Sequence, residues 1–146
     1  MNYINRSSLD SLRIYRSKKM IEAQKREREN QQRLQSENSF DEKLAKEIIS
    51  VVCAARSVTY EDMQKITRNE HVRVSRQICI YLIKNMTKLT DGKIGLKFNQ
   101  HHSTVSHTAI KAIPSWLIQH DFSIEFKKIE KEANQRKETL KTSLTL

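Results

Sequence analysis

Three histidines fall within the stretch KFNQHHSTVSHTAIK, Lys97 to Lys111. An imidazole can ligate a metal, move a proton or hydrogen-bond a base edge. A metal shared on one helix face needs ligands three or four residues apart. His101 and His102 are adjacent, and His107 lies five residues beyond His102. Cys53 and Cys79 are far away and form no C-x-x-C pair. This spacing assembles no metal set, so neither metal nor cofactor is expected. Ser103 and His107 stand at i, i+4, as a nucleophile and base would. The nearby carboxylates are only Asp91 and Asp121, and no third orienting group accompanies the pair. No catalytic residue is assigned, and the chain is not expected to be an enzyme. What remains is a polar surface of imidazoles and hydroxyls suited to reading a partner.

The charge pattern points to that partner. The chain has 146 residues and a net charge of +10. Between Met63 and His120 stand nine Lys or Arg and only two acids, Glu70 and Asp91. All five histidines fall in the same interval. A solvated mixed-charge face would intersperse acids among the cations. Their near absence predicts a surface for a polyanion, either nucleic acid or an anionic membrane surface. No apolar run reaches the length of a membrane span, and the N-terminus lacks the apolar core of a secretory signal. Two unpatterned cysteines fit a reducing setting. A cytoplasmic protein is expected, and a nucleic-acid partner would place it at the nucleoid and not at a membrane.

The elements that must position these residues read as helices. Two glycines and one proline leave few turns, so an all-α domain is expected. Residues 1–38 form a polar, basic extension with little to bury, either helical or disordered. Leu9, Leu12, Ile14, Tyr15, Met20 and Ile21 could make a short amphipathic stretch there, and a protein partner on this extension is a further expectation. Ser39 and Glu42 fit an S-x-x-E capping box and predict a helix start. Leu44, Ile48, Val51, Val52 and Ala55 follow at helical spacing. A short helix is expected after Thr59, with Met63 and Ile66 inward, and then a polar loop NEHVR. The next helix buries Val74, Ile78, Tyr81, Leu82 and Met86, leaving Arg73, Arg76, Gln77 and Lys84 largely off that stripe. Thr90 caps a further helix with Ile94 and Phe98 inward, and Gly95 predicts close approach of another helix. After a tight NQH break, a helix starts near His102 or Ser103, with Val105, Ala109, Ala112 and Ile113 inward, and Pro114 ends or kinks it. A domain over 39–130 is expected, followed by a charged tail over 131–146.

Short helix, brief turn and longer helix is helix-turn-helix grammar. The residues filling it are Arg76-Gln77, then Ile94-Gly95-Leu96-Lys97-Phe98, then His102-Ser103-Thr104-Val105 and His107. In this order they resemble the C-terminal DNA-binding domain, domain IV, of the bacterial replication initiator DnaA. The resemblance covers about residues 40–130. It implies a small Trp-repressor-like helical domain whose second motif helix enters the major groove. His101, His102, Ser103 and Thr104 then touch base edges, and Arg68 enters the minor groove from a basic loop. The same resemblance assigns phosphate contacts to Arg76, Gln77, Lys84, Thr90, Asp91, Gly92, Lys93, His107 and Lys111.

The turn is one residue shorter than the family's common Gly-Gly-Arg-Asp-His form. Gln100 stands for its arginine and His101 for its aspartate. An A·T-rich minor-groove half of the target is expected to persist, while the major-groove half drifts. No G-x-x-x-x-G-K-[ST] loop is present, so a stand-alone relative without ATPase activity is expected. It would regulate transcription or replication initiation. The competing expectation is an adaptor that binds a protein partner and holds DNA nonspecifically with its basic face.

Overall fold

The computed structural model describes residues 6–145, and every regular element among them is helical. By internal contacts the chain divides into two units, Met1–Glu37 and Asn38–Leu146. In the first, the side chains from residue 8 onward are exposed along helix α1, Arg6–Arg56. Ser39 is an interior residue of α1 and caps nothing, which corrects the capping-box expectation. A cap satisfies backbone donors only where no preceding turn exists to do so.

In the second unit, α1 buries Leu44, Ala45, Ile48, Val51 and Val52, whereas Ala55 faces solvent. Ser57 adopts φ 54° just after the helix, and the N–H of Val58 donates back to the carbonyl of Cys53 at 3.2 Å. This left-handed residue turns the chain sharply toward α2, Tyr60–Gln64, capped by Thr59. Met63 is buried, but Ile66 is fully exposed, against expectation. The reason is local: Lys65 adopts extended backbone after α2 ends, so Ile66 leaves the helical face that Met63 occupies. Helix α3 runs Glu70–Met86 from an Asn69 cap, so the expected NEHVR loop is mostly its first turn. Ile78, Cys79, Leu82 and Ile83 are its buried apolar center.

Helix α4, Asp91–Lys97, is capped by Thr90 as expected, and it buries Ile94 with Phe98 beyond its end. Helix α5, His102–His107, widens into a π-helical segment, Thr108–Ala112, and resumes as α6, Ile113–Trp116. Pro114 has no N–H to continue the α ladder, and the N–H of Ile113 bonds five residues back to Thr108. The expected break at Pro114 is thus a widening in a helix that continues to Trp116. Helix α7, His120–Thr145, closes the core with Phe126, Ile129 and Ala133, and Leu140 also packs on it. The boundary expected at residue 130 therefore falls inside a packed helix.

A buried arginine ties three of these helices. Arg56 donates from Nε to Ser75 Oγ at 2.6 Å and from Nη1 to Glu125 Oε1 at 2.6 Å. Its Nη2 lies 3.1 Å from His71 Nδ1, while His71 Nε2 lies 2.6 Å from the Arg56 carbonyl oxygen. These contacts are met together when Nδ1 accepts and Nε2 donates. Among the described residues, no helix is long and apolar enough to cross a membrane.

Candidate nucleic-acid interface

The α4–α5 turn is built from backbone. Asn99 takes φ 54°, and the N–H of Gln100 donates to the Gly95 carbonyl at 2.8 Å. That is the long bond of a Schellman ending, with asparagine in the left-handed position that glycine usually fills. A Cβ on Gly95 would stand 2.3 Å from the Gln100 oxygen. Gly95 therefore admits the main chain of its own turn, not another helix as the sequence suggested.

Helix α5 begins on a histidine cap. Nδ1 of His101 accepts from the Ser103 N–H at 3.2 Å and lies 2.7 Å from Ser103 Oγ. The His101 and His102 rings lie side by side, tilted by 36° with centroids 4.1 Å apart. His101, His102, Ser103 and Thr104 are all exposed, and Val105 below them is fully buried. Thr108 is buried as well, its hydroxyl donating to the Thr104 carbonyl at 2.9 Å. The first turn of α5 is thus presented outward from an anchored apolar base. No group of three potential metal ligands occurs among the described residues.

The loop carrying Arg68 adjoins this turn. Asn99 Nδ2 donates to the Gln64 carbonyl at 3.1 Å. Gln64 Nε2 and the Tyr60 hydroxyl both donate to the Lys97 carbonyl, at 3.3 Å and 2.5 Å. The end of α2 is thereby pinned against the end of α4. Arg68 is exposed just beyond this junction.

Arg76 does not lie off the apolar stripe. It is buried, and its Nη1 donates to the carbonyls of Met63 at 3.3 Å and Lys65 at 3.2 Å. Burial, and then the neighboring Arg73 cation, push its guanidinium below the ordinary arginine value. The side chain reaches inward because two carbonyls at the end of α2 have lost their helical donors. Arg76 is a brace beneath the Arg68 loop, and the phosphate contact expected of it is withdrawn. Gln77 is half-buried, with its Oε1 buried and without a hydrogen-bond partner.

Among the other expected phosphate contacts, Lys84 forms an ion pair with Asp91 across the start of α4. Thr90 Oγ1 is occupied as a cap, accepting from the Lys93 N–H at 3.3 Å. Gly92, Lys93, His107 and Lys111 are exposed, and so are Lys65, Arg73 and Lys88. Lys97 is paired with Glu42. The structure therefore sorts the cations into those held internally by ion pairs or carbonyls and those presented to solvent.

Sequence reasoning passed over Asn99, Gln64 and Arg56. For Asn99 a signal existed: an asparagine directly after the last apolar residue of a short helix favors the left-handed conformation. Gln64 and Arg56 had none, because their partners are distant in sequence.

The model of a family described as "Bacterial dnaA protein helix-turn-helix" matches residues 45–113. Curated relatives agree, each bearing the name chromosomal replication initiator protein DnaA. The protein of Thermoanaerobacter sp. (strain X514) is 34% identical over 70 residues, covering 48% of this chain and 16% of the relative. That of Chlorobaculum tepidum is 39% identical over 61 residues, covering 41% of this chain and 12% of the relative. That of Gloeobacter violaceus is 34% identical over 65 residues, covering 44% and 15%. The chain thus matches only a small fraction of each relative's length. The matched segment contains the capped α4, its backbone turn and the exposed start of α5, so the likeness to the bacterial DnaA helix-turn-helix falls on the candidate interface.

Proposed function

We propose that this chain is a sequence-specific double-stranded DNA-binding protein of the nucleoid. It would regulate transcription or replication initiation without ATPase activity of its own. The part from residue 39 onward binds DNA, with the first turn of α5 in the major groove and Arg68 in the minor groove. His101, His102, Ser103 and Thr104 meet base edges. Lys93, His107 and Lys111 contact phosphates, joined by the backbone at Thr90, Asp91 and Gly92 and by the partly exposed Lys84 and Gln77. The observation that carries this reading is the exposed His101–Thr104 turn, seated on a buried apolar base within a family-matched helix-turn-helix.

The cap on α5 supports a particular base chemistry. Because His101 Nδ1 accepts the Ser103 N–H, the neutral ring carries its proton on Nε2. An outward N–H suits an acceptor, such as guanine O6 or N7, and does not suit the cytosine amino group. Selection from a random duplex pool tests the function. Enrichment of one motif, with binding at least 10³-fold tighter than to random duplex, is the expected result. Equal affinity for every duplex would favor the adaptor reading, in which exposed Leu9, Leu12 and Met20 of α1 meet a protein partner.

A further inference from the structure

Ile66 is 101% exposed, more than any other large apolar side chain among the described residues. Fully burying an isoleucine side chain is worth about 1.5–3 kcal/mol, and the folded chain leaves this gain unused. The side chain is not on a fraying end. The carbonyl of Lys65, just before it, accepts from Arg76, and the N–H of Lys65 donates to the Asp62 carbonyl at 3.3 Å. After it, the N–H of Asn69 donates to Thr67 Oγ1 at 3.0 Å, and Asn69 caps α3. A braced loop thus holds an apolar tip, and the same loop carries exposed Arg68 and exposed Lys65, the latter 4.0 Å from Glu61.

An apolar protein pocket would be a poor match for a tip that shares its short loop with exposed Lys65 and Arg68, which it would have to desolvate. The minor groove of DNA offers both environments. Its walls are phosphates, its negative potential attracts arginine, and a base step opened from that side exposes apolar ring faces. The bond from Asn99 to the Gln64 carbonyl sets this loop beside the α4–α5 turn, so both can engage one duplex.

We propose that Ile66 is a wedge that enters a base step from the minor groove, beside Arg68, and kinks the duplex toward the major groove where α5 lies. The inference rests on the DNA-binding reading and adds deformation to it. Opening a step costs least at flexible pyrimidine–purine steps such as TA and CA. The wedge therefore selects such a step without hydrogen-bonding its bases.

The test uses the full chain on a pool-selected duplex. One version carries 2-aminopurine in the step facing the loop, and another carries a fluorophore pair at its ends to read bending. Wild type is expected to raise the 2-aminopurine fluorescence and shorten the end-to-end distance. Ile66→Ala should lose both signals and bind about tenfold more weakly, the factor corresponding to 1.4 kcal/mol. Ile66→Met, also an apolar wedge, should retain both. Because the side chain is fully exposed in the fold, melting should be the same for all three, which excludes unfolding as the cause. Bending and 2-aminopurine signals unchanged in Ile66→Ala would overturn the wedge while leaving DNA binding intact. Failure of wild type to bind any duplex would instead overturn the DNA-binding reading, and the wedge with it.

Discussion

The N–H of Ser103 donates to Nδ1 of His101 at 3.2 Å, so a residue expected to read bases also caps the helix on which that role is proposed. The two roles use different nitrogens and can be separated by substitution. His101→Ala removes the cap and should cost about 0.5–2 kcal/mol in urea unfolding. His101→Asp restores a good cap but replaces the outward donor by a carboxylate. Its stability should stay near wild type while pool selection shifts toward cytosine at one position. An unchanged motif in His101→Asp would mean that His101 caps the helix and touches no base.

Arg76 should behave as a brace. Arg76→Ala leaves the Met63 and Lys65 carbonyls without their donor, at a cost of about 1–3 kcal/mol. Arg76→Lys should recover only part of this, since an ammonium lacks the planar fork. DNA affinity should fall while its salt dependence is unchanged, because no phosphate contact is lost. Unfolding titrations alongside binding at several salt concentrations check both. Unaltered stability together with a slope reduced by about one charge would return Arg76 to the phosphate-binding set.

Lys93 and Lys111 should show the opposite pattern. Both are exposed, and Lys93→Ala or Lys111→Ala should each lower the slope of log K against log salt by about 0.9. The loss should be similar on selected and random duplexes, with melting unchanged. Arg68→Ala should instead reduce preference for an A·T-rich flank, and Arg68→Lys should restore it only in part. Competition between flanks of differing A·T content measures this; equal loss on all flanks would make Arg68 a simple phosphate contact.

The two glycines should respond in opposite directions. An alanine at Gly95 meets the Gln100 backbone oxygen, and backbone cannot swing aside as a flexible side chain would. Overpacking of about 1–3 kcal/mol outweighs the gain in helix propensity of about 1 kcal/mol. Gly92 has nothing within 4 Å of an added Cβ, so Gly92→Ala should stabilize by up to about 1 kcal/mol. Chemical denaturation of both variants is the measurement. A stabilized Gly95→Ala protein would show that the turn opens at little cost.

Features that depend on near neighbors were legible in the residues alone. The all-α class, the Thr90 cap, the inward Ile94 and Phe98, and the start of α5 at His102 follow from periodicity and capping chemistry within a few residues. The order Ile94-Gly95, His102-Ser103-Thr104-Val105, His107 carried the resemblance to the family whose model matches residues 45–113. Local signals failed where longer-range structure overrode them. The Ser39 box is a sound start signal, but the helix already running through it had no unpaired donors for it to satisfy. Arg76 reads as a surface cation because periodicity describes only its own helix, whereas its partners are carbonyls left open at the end of α2. Ile66 reads as buried until Lys65 extends the chain away from the core. The contact of Asn99 with Gln64, 35 residues apart, sets the loop beside the turn. The Arg76 and Asn99 contacts emerge only on folding, because each needs a backbone carbonyl whose position is set by a distant segment, and no residue pattern near either partner encodes it.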